Sequence, residues 1–105
     1  MGIFTHNCVG TNDLERAGRF YDAALAPLGI GRLGDFLDQG LAYGFRAAEF
    51  LVLRPLDGSA ATPGNGVTIG FKAPGPRGAV PNAYGAYLRD PDGNKLCAYC
   101  FKAEG

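Results

Sequence analysis

Few side chains here are suited to ligating a metal or orienting a small molecule. His6 is the single histidine, and a neutral imidazole binds Zn, Ni, Fe or Mn. It sits in GIFTHNCVGT, where Phe4, His6, Cys8 and Gly10 alternate with Ile3, Thr5, Asn7 and Val9 as on a strand. Such a strand lines a cavity, or is buried with its polar groups bonded locally, and both readings stay open. Cys97 and Cys100 form CAYC. Residues three apart on a strand point to opposite faces, so joint coordination or a redox pair would need a turn there. As free buried thiols they are small hydrophobes.

Tyr84, Tyr87 and Tyr99, with Phe50 and Phe71, can line an apolar cup able to stack on a planar ligand. The two phenylalanines are the better core candidates. A buried tyrosine hydroxyl needs a partner, so Tyr84, Tyr87 and Tyr99 are the candidates for orienting a polar or aromatic molecule. Arg89 shares a strand face with Tyr87, where it either pairs with a carboxylate or faces water.

The elements that must position these residues are readable from pattern. Tyr84 to Arg89 and Lys95 to Phe101 are strands, and Asp90-Pro91-Asp92-Gly93-Asn94 between them makes a turn, with Pro91 presetting φ and Gly93 accepting the left-handed region. The turn is read as local chemistry only, with no catalytic role. Asn12 as N-cap with Glu15 predicts a capping box, and Leu14, Ala17, Tyr21, Ala24, Leu25 and Leu28 recur at helical spacing. Pro27 ends that helix near Ala26. Strands follow over Gly31 to Leu37 (interrupted at Gly34-Asp35), Leu41 to Arg46 and Glu49 to Arg54, the last placing Glu49, Leu51 and Leu53 on one face and Phe50, Val52 and Arg54 on the other. Pro55 to Gly66 is a loop by composition, and another strand runs from Gly66 to Ala73.

An aromatic strand, then DPDGN, then a hydrophobic strand resembles the end of the vicinal-oxygen-chelate superfamily, which includes glyoxalases, bleomycin-resistance proteins and extradiol dioxygenases. Asp13-Leu14-Glu15-Arg16-Ala17 with Phe20-Tyr21, continued by Leu25-Ala26-Pro27-Leu28-Gly29, is similar to the family's first helix. The resemblance implies an α+β fold: one glyoxalase-like domain with a βαβββ module over 1–54, a linker over 55–66 and a shortened second module over 67–105. After Ala73 the chain departs from the pattern. Pro74-Gly75-Pro76-Arg77-Gly78-Ala79-Val80 cannot supply both a helix and a strand before Tyr84. Either the chain is shortened, or residues belong between Val80 and Tyr84 that this sequence does not carry. The second is favoured because a half-built sheet exposes its edges.

The family's enzymes hold a divalent metal at about four positions. The resemblance carries these to His6, which is retained; to Glu49, the one ligand type in the fourth strand; to Thr68, where histidine is common; and to Cys97, where Asn94-Lys95-Leu96-Cys97 has a thiol for the usual carboxylate. His6, Glu49 and Cys97 form the only metal site worth drawing, and it lacks a fourth protein ligand. The cofactor expectation is therefore none or a divalent metal ion. The function favoured is small-molecule binding of the bleomycin-resistance type through His6, Tyr84, Tyr87, Tyr99 and Arg89. The alternatives are a metal-dependent lyase or dioxygenase acting on vicinal oxygens, and a non-catalytic remnant that dimerises. A homodimer suits all three.

Composition narrows the partners. Ten basic and ten acidic side chains cancel, so nucleic acid and anionic membranes find no electrostatic support. No apolar run reaches membrane-spanning length and no signal-peptide pattern opens the chain, so the cytoplasm is the expected compartment. Three cysteines argue against a disulfide scaffold, though not against one bridge.

Overall fold

The helix starts one residue later than the predicted capping box requires. In the computed structural model, which describes residues 3–36, 39–72 and 83–101, Asp13 is the N-cap and its carboxylate accepts from the Arg16 amide at 3.0 Å. Asn12 is engaged elsewhere: its side chain donates to the Ala61 carbonyl at 3.1 Å and accepts from the Ala61 amide at 2.7 Å. Its own amide donates to Asp92, so the Asn12–Glu15 box does not form. Helix α1 runs over Leu14–Leu25 and buries Ala17, Gly18, Tyr21 and Leu25. Pro27 tightens its exit into a 3₁₀ turn over Ala26–Leu28, closed by Gly29 at φ 81°, a left-handed value that a glycine adopts without strain.

Four strands form the first sheet: β1 (Asn7–Gly10), β2 (Gly31–Phe36), β3 (Gly40–Gly44) and β4 (Phe50–Leu53), in the order β1-β4-β3-β2 with β1 parallel to β4. The expected break at Gly34-Asp35 is a register shift between Arg32 and Gly34 where β2 pairs with β3. The predicted end of β2 at Leu37 lies outside the described residues. Strand β3 stops at Gly44 rather than Arg46 because the following turn folds directly over it; a Cβ on Gly44 would collide with the Ala47 carbonyl. Strand β1 is shorter than the predicted Gly2–Thr11 run, which leaves His6 just ahead of the sheet.

The second sheet holds β5 (Ile69–Lys72), β6 (Ala83–Arg89) and β7 (Lys95–Phe101) in the order β5-β7-β6, with β5 parallel to β7. This repeats the β1-β4-β3 arrangement. Among the described residues it has neither a helix of its own nor a counterpart of β2, so the second βαβββ module is shortened. The junction at Val80 lies outside the described residues.

Alternation decides which side chains meet. Helix α1 covers the face of the first sheet that carries Val9, Leu41, Tyr43, Phe50 and Val52, and Leu96 from β7 joins the same core. Ile69 and Phe71 pack against that core from β5. The Phe50 ring meets Tyr21 at 5.2 Å and Phe71 edge-on at 4.9 Å, so it bridges helix, first sheet and second sheet. Such aromatic pairs contribute about 0.5–1.5 kcal/mol each beyond their buried area. Phe50 and Phe71 are thus core residues, as expected.

The Asp90–Asn94 turn does more than reverse the chain. Asp90 is buried and accepts four hydrogen bonds: from the Asp92 and Asn94 amides (3.0 and 2.8 Å), the Asn94 side chain (2.9 Å) and the Tyr21 hydroxyl (2.5 Å). Asn94 also donates to the Gly10 carbonyl at 2.9 Å, and Asp92 accepts from the Thr11 hydroxyl at 2.5 Å and the Asn12 amide at 2.9 Å. The turn of the second module is thereby clasped to β1 and α1 of the first. Local turn chemistry was only half of its role.

Candidate functional site

Module one seals its helix-side face with α1, whereas the matching face of the second sheet has no helix among the described residues. The result is a cleft of about 460 Å³ at the junction, lined by the entry to β1, the end of β3, the approach to β4 and all of β5. A cleft of this size holds a small organic molecule.

Its inner wall is aromatic: Phe50 is buried, and Phe71 is half-buried against it. Its mouth carries Phe4 and Phe45, which are 70% and 59% exposed. Two exposed phenylalanines flanking one opening are costly to hydrate, at roughly 25 cal/mol per Å² of apolar surface, and both would gain from a ligand that covers them. The polar lining comes from His6, Asn7, Glu49 and Lys72. His6 is exposed, and its Nδ1 lies 2.9 Å from the hydroxyl of its exposed neighbour Thr5. Glu49 and Lys72 are exposed and form no ion pair among the described residues.

Tyr43 contributes its ring to the cleft but not a reactive hydroxyl. That hydroxyl donates to Asp22 at 2.9 Å, and Asp22 is gripped by Arg32 through two bonds of 3.1 and 2.8 Å. Burial first, and then the bond to Asp22, push the Tyr43 hydroxyl above the ordinary tyrosine range. Tyr21 is displaced in the same direction by burial and by its bond to Asp90. Neither phenol is poised to exchange a proton near neutral pH.

The residues singled out from the sequence fall in two places. His6 and Glu49 border the cleft, while Cys97, Tyr87 and Arg89 do not. In register, Tyr87 pairs with Cys97 and Arg89 with Lys95, on the face of the second sheet that Gly70 and Lys72 share. Tyr87 is 61% exposed with the Lys95 ammonium 5.7 Å from its ring centroid, and the Arg89 guanidinium donates to the Gly93 carbonyl at 2.7 Å. The backbones of Tyr84 and Tyr99 pair within β6 and β7, and their side chains lie outside the described residues. Cys97 is buried beneath Gly70, where an added Cβ would stand 3.3 Å from its sulfur. It is packed as a small hydrophobe. Cys8 is exposed, with partial burial raising its thiol pKa.

These positions do not fit a divalent metal. A structural or catalytic ion needs three or four converging donors, and no group of three His, Cys, Asp or Glu side chains converges among the described residues. His6 and Glu49 line the cleft, whereas Cys97 does not; its thiol lies beside Gly70, which does. No described helix is long and apolar enough to cross a membrane.

Phe4, Phe45 and Lys72 were not singled out by sequence reasoning. The one signal for Phe45 is a bulky aromatic immediately after Gly44, at a point where β3 gives way to a turn.

No family model and no curated protein matches the chain. Solved structures do. A glyoxalase/bleomycin resistance protein from Albidiferax ferrireducens T118 is 39% identical, with a TM-score of 0.82 over 94% of this chain and 98% of its own. A lactoylglutathione lyase from Agrobacterium tumefaciens, 18% identical over 95% of this chain and 94% of its own, has a TM-score of 0.63 and shares the fold.

Proposed function

Because the chain belongs to the glyoxalase/bleomycin-resistance superfamily, we propose that it is a small-molecule-binding protein of the bleomycin-resistance type, working by sequestration rather than bond making. The observation that carries this is the aromatic cleft of about 460 Å³ between the modules, open to water and flanked by exposed Phe4 and Phe45. Burial of an apolar ring against Phe50 and Phe71 supplies affinity, while His6 and the neighbouring polar groups supply orientation. Tyr87 and Arg89 form a second exposed polar-aromatic surface, a candidate for contacts outside the cleft. Fold alone does not confer lyase or dioxygenase chemistry, and no set of three donors converges among the described residues.

A thermal-shift screen of small aromatic and non-aromatic molecules, run in chelator and again with added divalent metal, tests the proposal. Aromatic ligands should raise the melting temperature in chelator, and Phe45→Ser should remove that rise. Responses that appear only with added metal would overturn sequestration in favour of the metal-dependent lyase or dioxygenase reading. A homodimer is carried forward as part of the proposal, and sedimentation that finds only monomer at micromolar concentration would remove it.

A further inference from the structure

The second sheet ends on a strand whose outer edge pairs with nothing among the described residues. In the first sheet β3 lies between β4 and β2, and all five of its residues are buried. Its counterpart β6 pairs with β7 on one side, and the order β5-β7-β6 stops there. Residues 73–82, which precede β6, include Pro74, Pro76 and Pro81, and a proline has no N–H to give to a ladder. Exposed edges are normally blunted by short length, charge, proline or a bulge. The other edge strands follow that rule: β1 and β5 have four residues each, and β2 carries Arg32, Asp35 and a register shift between Arg32 and Gly34. Strand β6 has none of these guards. It is seven residues long, its register with β7 runs unbroken from Ala83 to Arg89, and its single charge is the terminal Arg89. Near that end Tyr87 and Leu88 are 61% and 40% exposed. An unguarded edge of this length is a template for another strand.

We propose that the strand it pairs with is β6 of a second copy, so that two three-stranded sheets join into one of six strands across a homodimer. The proposal rests on the homodimer carried forward above and adds its interface. The sequence of β6 is self-complementary. Antiparallel pairing about a two-fold axis at Ala86 sets Ala83 against the partner's Arg89, Tyr84 against the partner's Leu88 and Gly85 against the partner's Tyr87. All seven residues then pair, and Tyr87 falls opposite a glycine, a cross-strand arrangement that compensates the missing side chain. The two Arg89 stand at opposite ends of the ladder. Sliding the register toward Arg89 shortens the ladder and brings those like charges together, which disfavours it. None of Tyr87, Leu88 and Arg89 lines the cleft, so the interface and the ligand site can be tested apart.

Sedimentation of the intact chain, with oxidative crosslinking of Ala86→Cys in a Cys8→Ser background, tests this directly. Directly opposed Cα atoms of antiparallel strands lie about 4.5–5.5 Å apart, within disulfide reach. The introduced thiols should therefore link two copies at position 86, as read by peptide mass spectrometry. Leu88→Lys adds a charge at an exposed edge position and should raise the dimer dissociation constant about tenfold or more, with an unchanged circular dichroism spectrum showing that the fold is intact. A dimer that forms no disulfide through position 86 and ignores Leu88→Lys would overturn this interface and leave the homodimer standing. A chain that stays monomeric at micromolar concentration would overturn both, and the response of the cleft to aromatic ligands would stand or fall separately.

Discussion

Changing Tyr21 to Phe removes one oxygen and leaves the ring against Phe50 and Tyr43. The oxygen it removes donates to buried Asp90 at 2.5 Å, across 69 residues of sequence. A hydrogen bond to a charged acceptor contributes about 1.5–3 kcal/mol. Asp90 keeps its other three donors after the change, so the carboxylate is not orphaned and the lower part of that range applies, about 1.5–2 kcal/mol. For a domain of this size that is roughly 6–15 °C in melting temperature. Urea unfolding followed by circular dichroism should show a lowered midpoint with an unchanged slope, since the surface exposed on unfolding is the same. Asp90→Ala should cost more, because four donors lose their acceptor together. The double variant should be less destabilised than the sum of the two, with a coupling of about 1 kcal/mol or more. If Tyr21→Phe changed stability by less than about 0.5 kcal/mol, the Tyr21–Asp90 bond would contribute nothing to the clasp, and the docking would rest on the Gly10, Thr11 and Asn12 bonds alone.

Alkaline pH should destabilise the fold. Tyr21 and Tyr43 keep their protons in the folded state above the range where tyrosines in an unfolded chain ionise, near pH 10. The folded form then holds more protons than the unfolded one, so the stabilisation is complete below that pH and declines as pH rises above it. Tyr21→Phe should flatten this decline in urea midpoints measured at successive pH values; an equally steep decline would contradict it. Cys8 should be alkylated in the native protein and Cys97 only on unfolding, as read by peptide mass spectrometry, because one thiol is exposed and the other lies beneath Gly70. Gly44→Ala should cost about 2 kcal/mol or more, since its Cβ meets a backbone carbonyl in the β3–β4 turn and not a movable side chain; a neutral result would show that the turn yields easily.

The features legible in the sequence are those whose causes are local. DPDGN specifies its turn by its own φ preferences, and the alternation of Phe50 and Val52 against Leu51 and Leu53 fixes which face of β4 meets the helix. What failed was non-local. Asn12 looks like an N-cap in isolation, but its side chain is drawn to Ala61, 49 residues away, and Asp13 takes the role. Asp90 reads as a turn residue until Tyr21 arrives from the other module. His6 was ambiguous on a strand, and the strand begins only after it. The cleft itself left no motif, because it is bounded by turn residues such as Phe45 and by a sheet face that no described helix covers.

The central claim is that ligand binds at the junction cleft. The most direct measurement is a ¹H–¹⁵N correlation titration of the intact chain with the strongest hit from the chelator screen. Saturable shifts centred on residues 4–7, Phe45, Glu49 and Ile69–Lys72 are predicted. Shifts centred instead on Tyr87 and Arg89, with residues 4–7 and Phe45 unmoved, would place the site outside the cleft and contradict this.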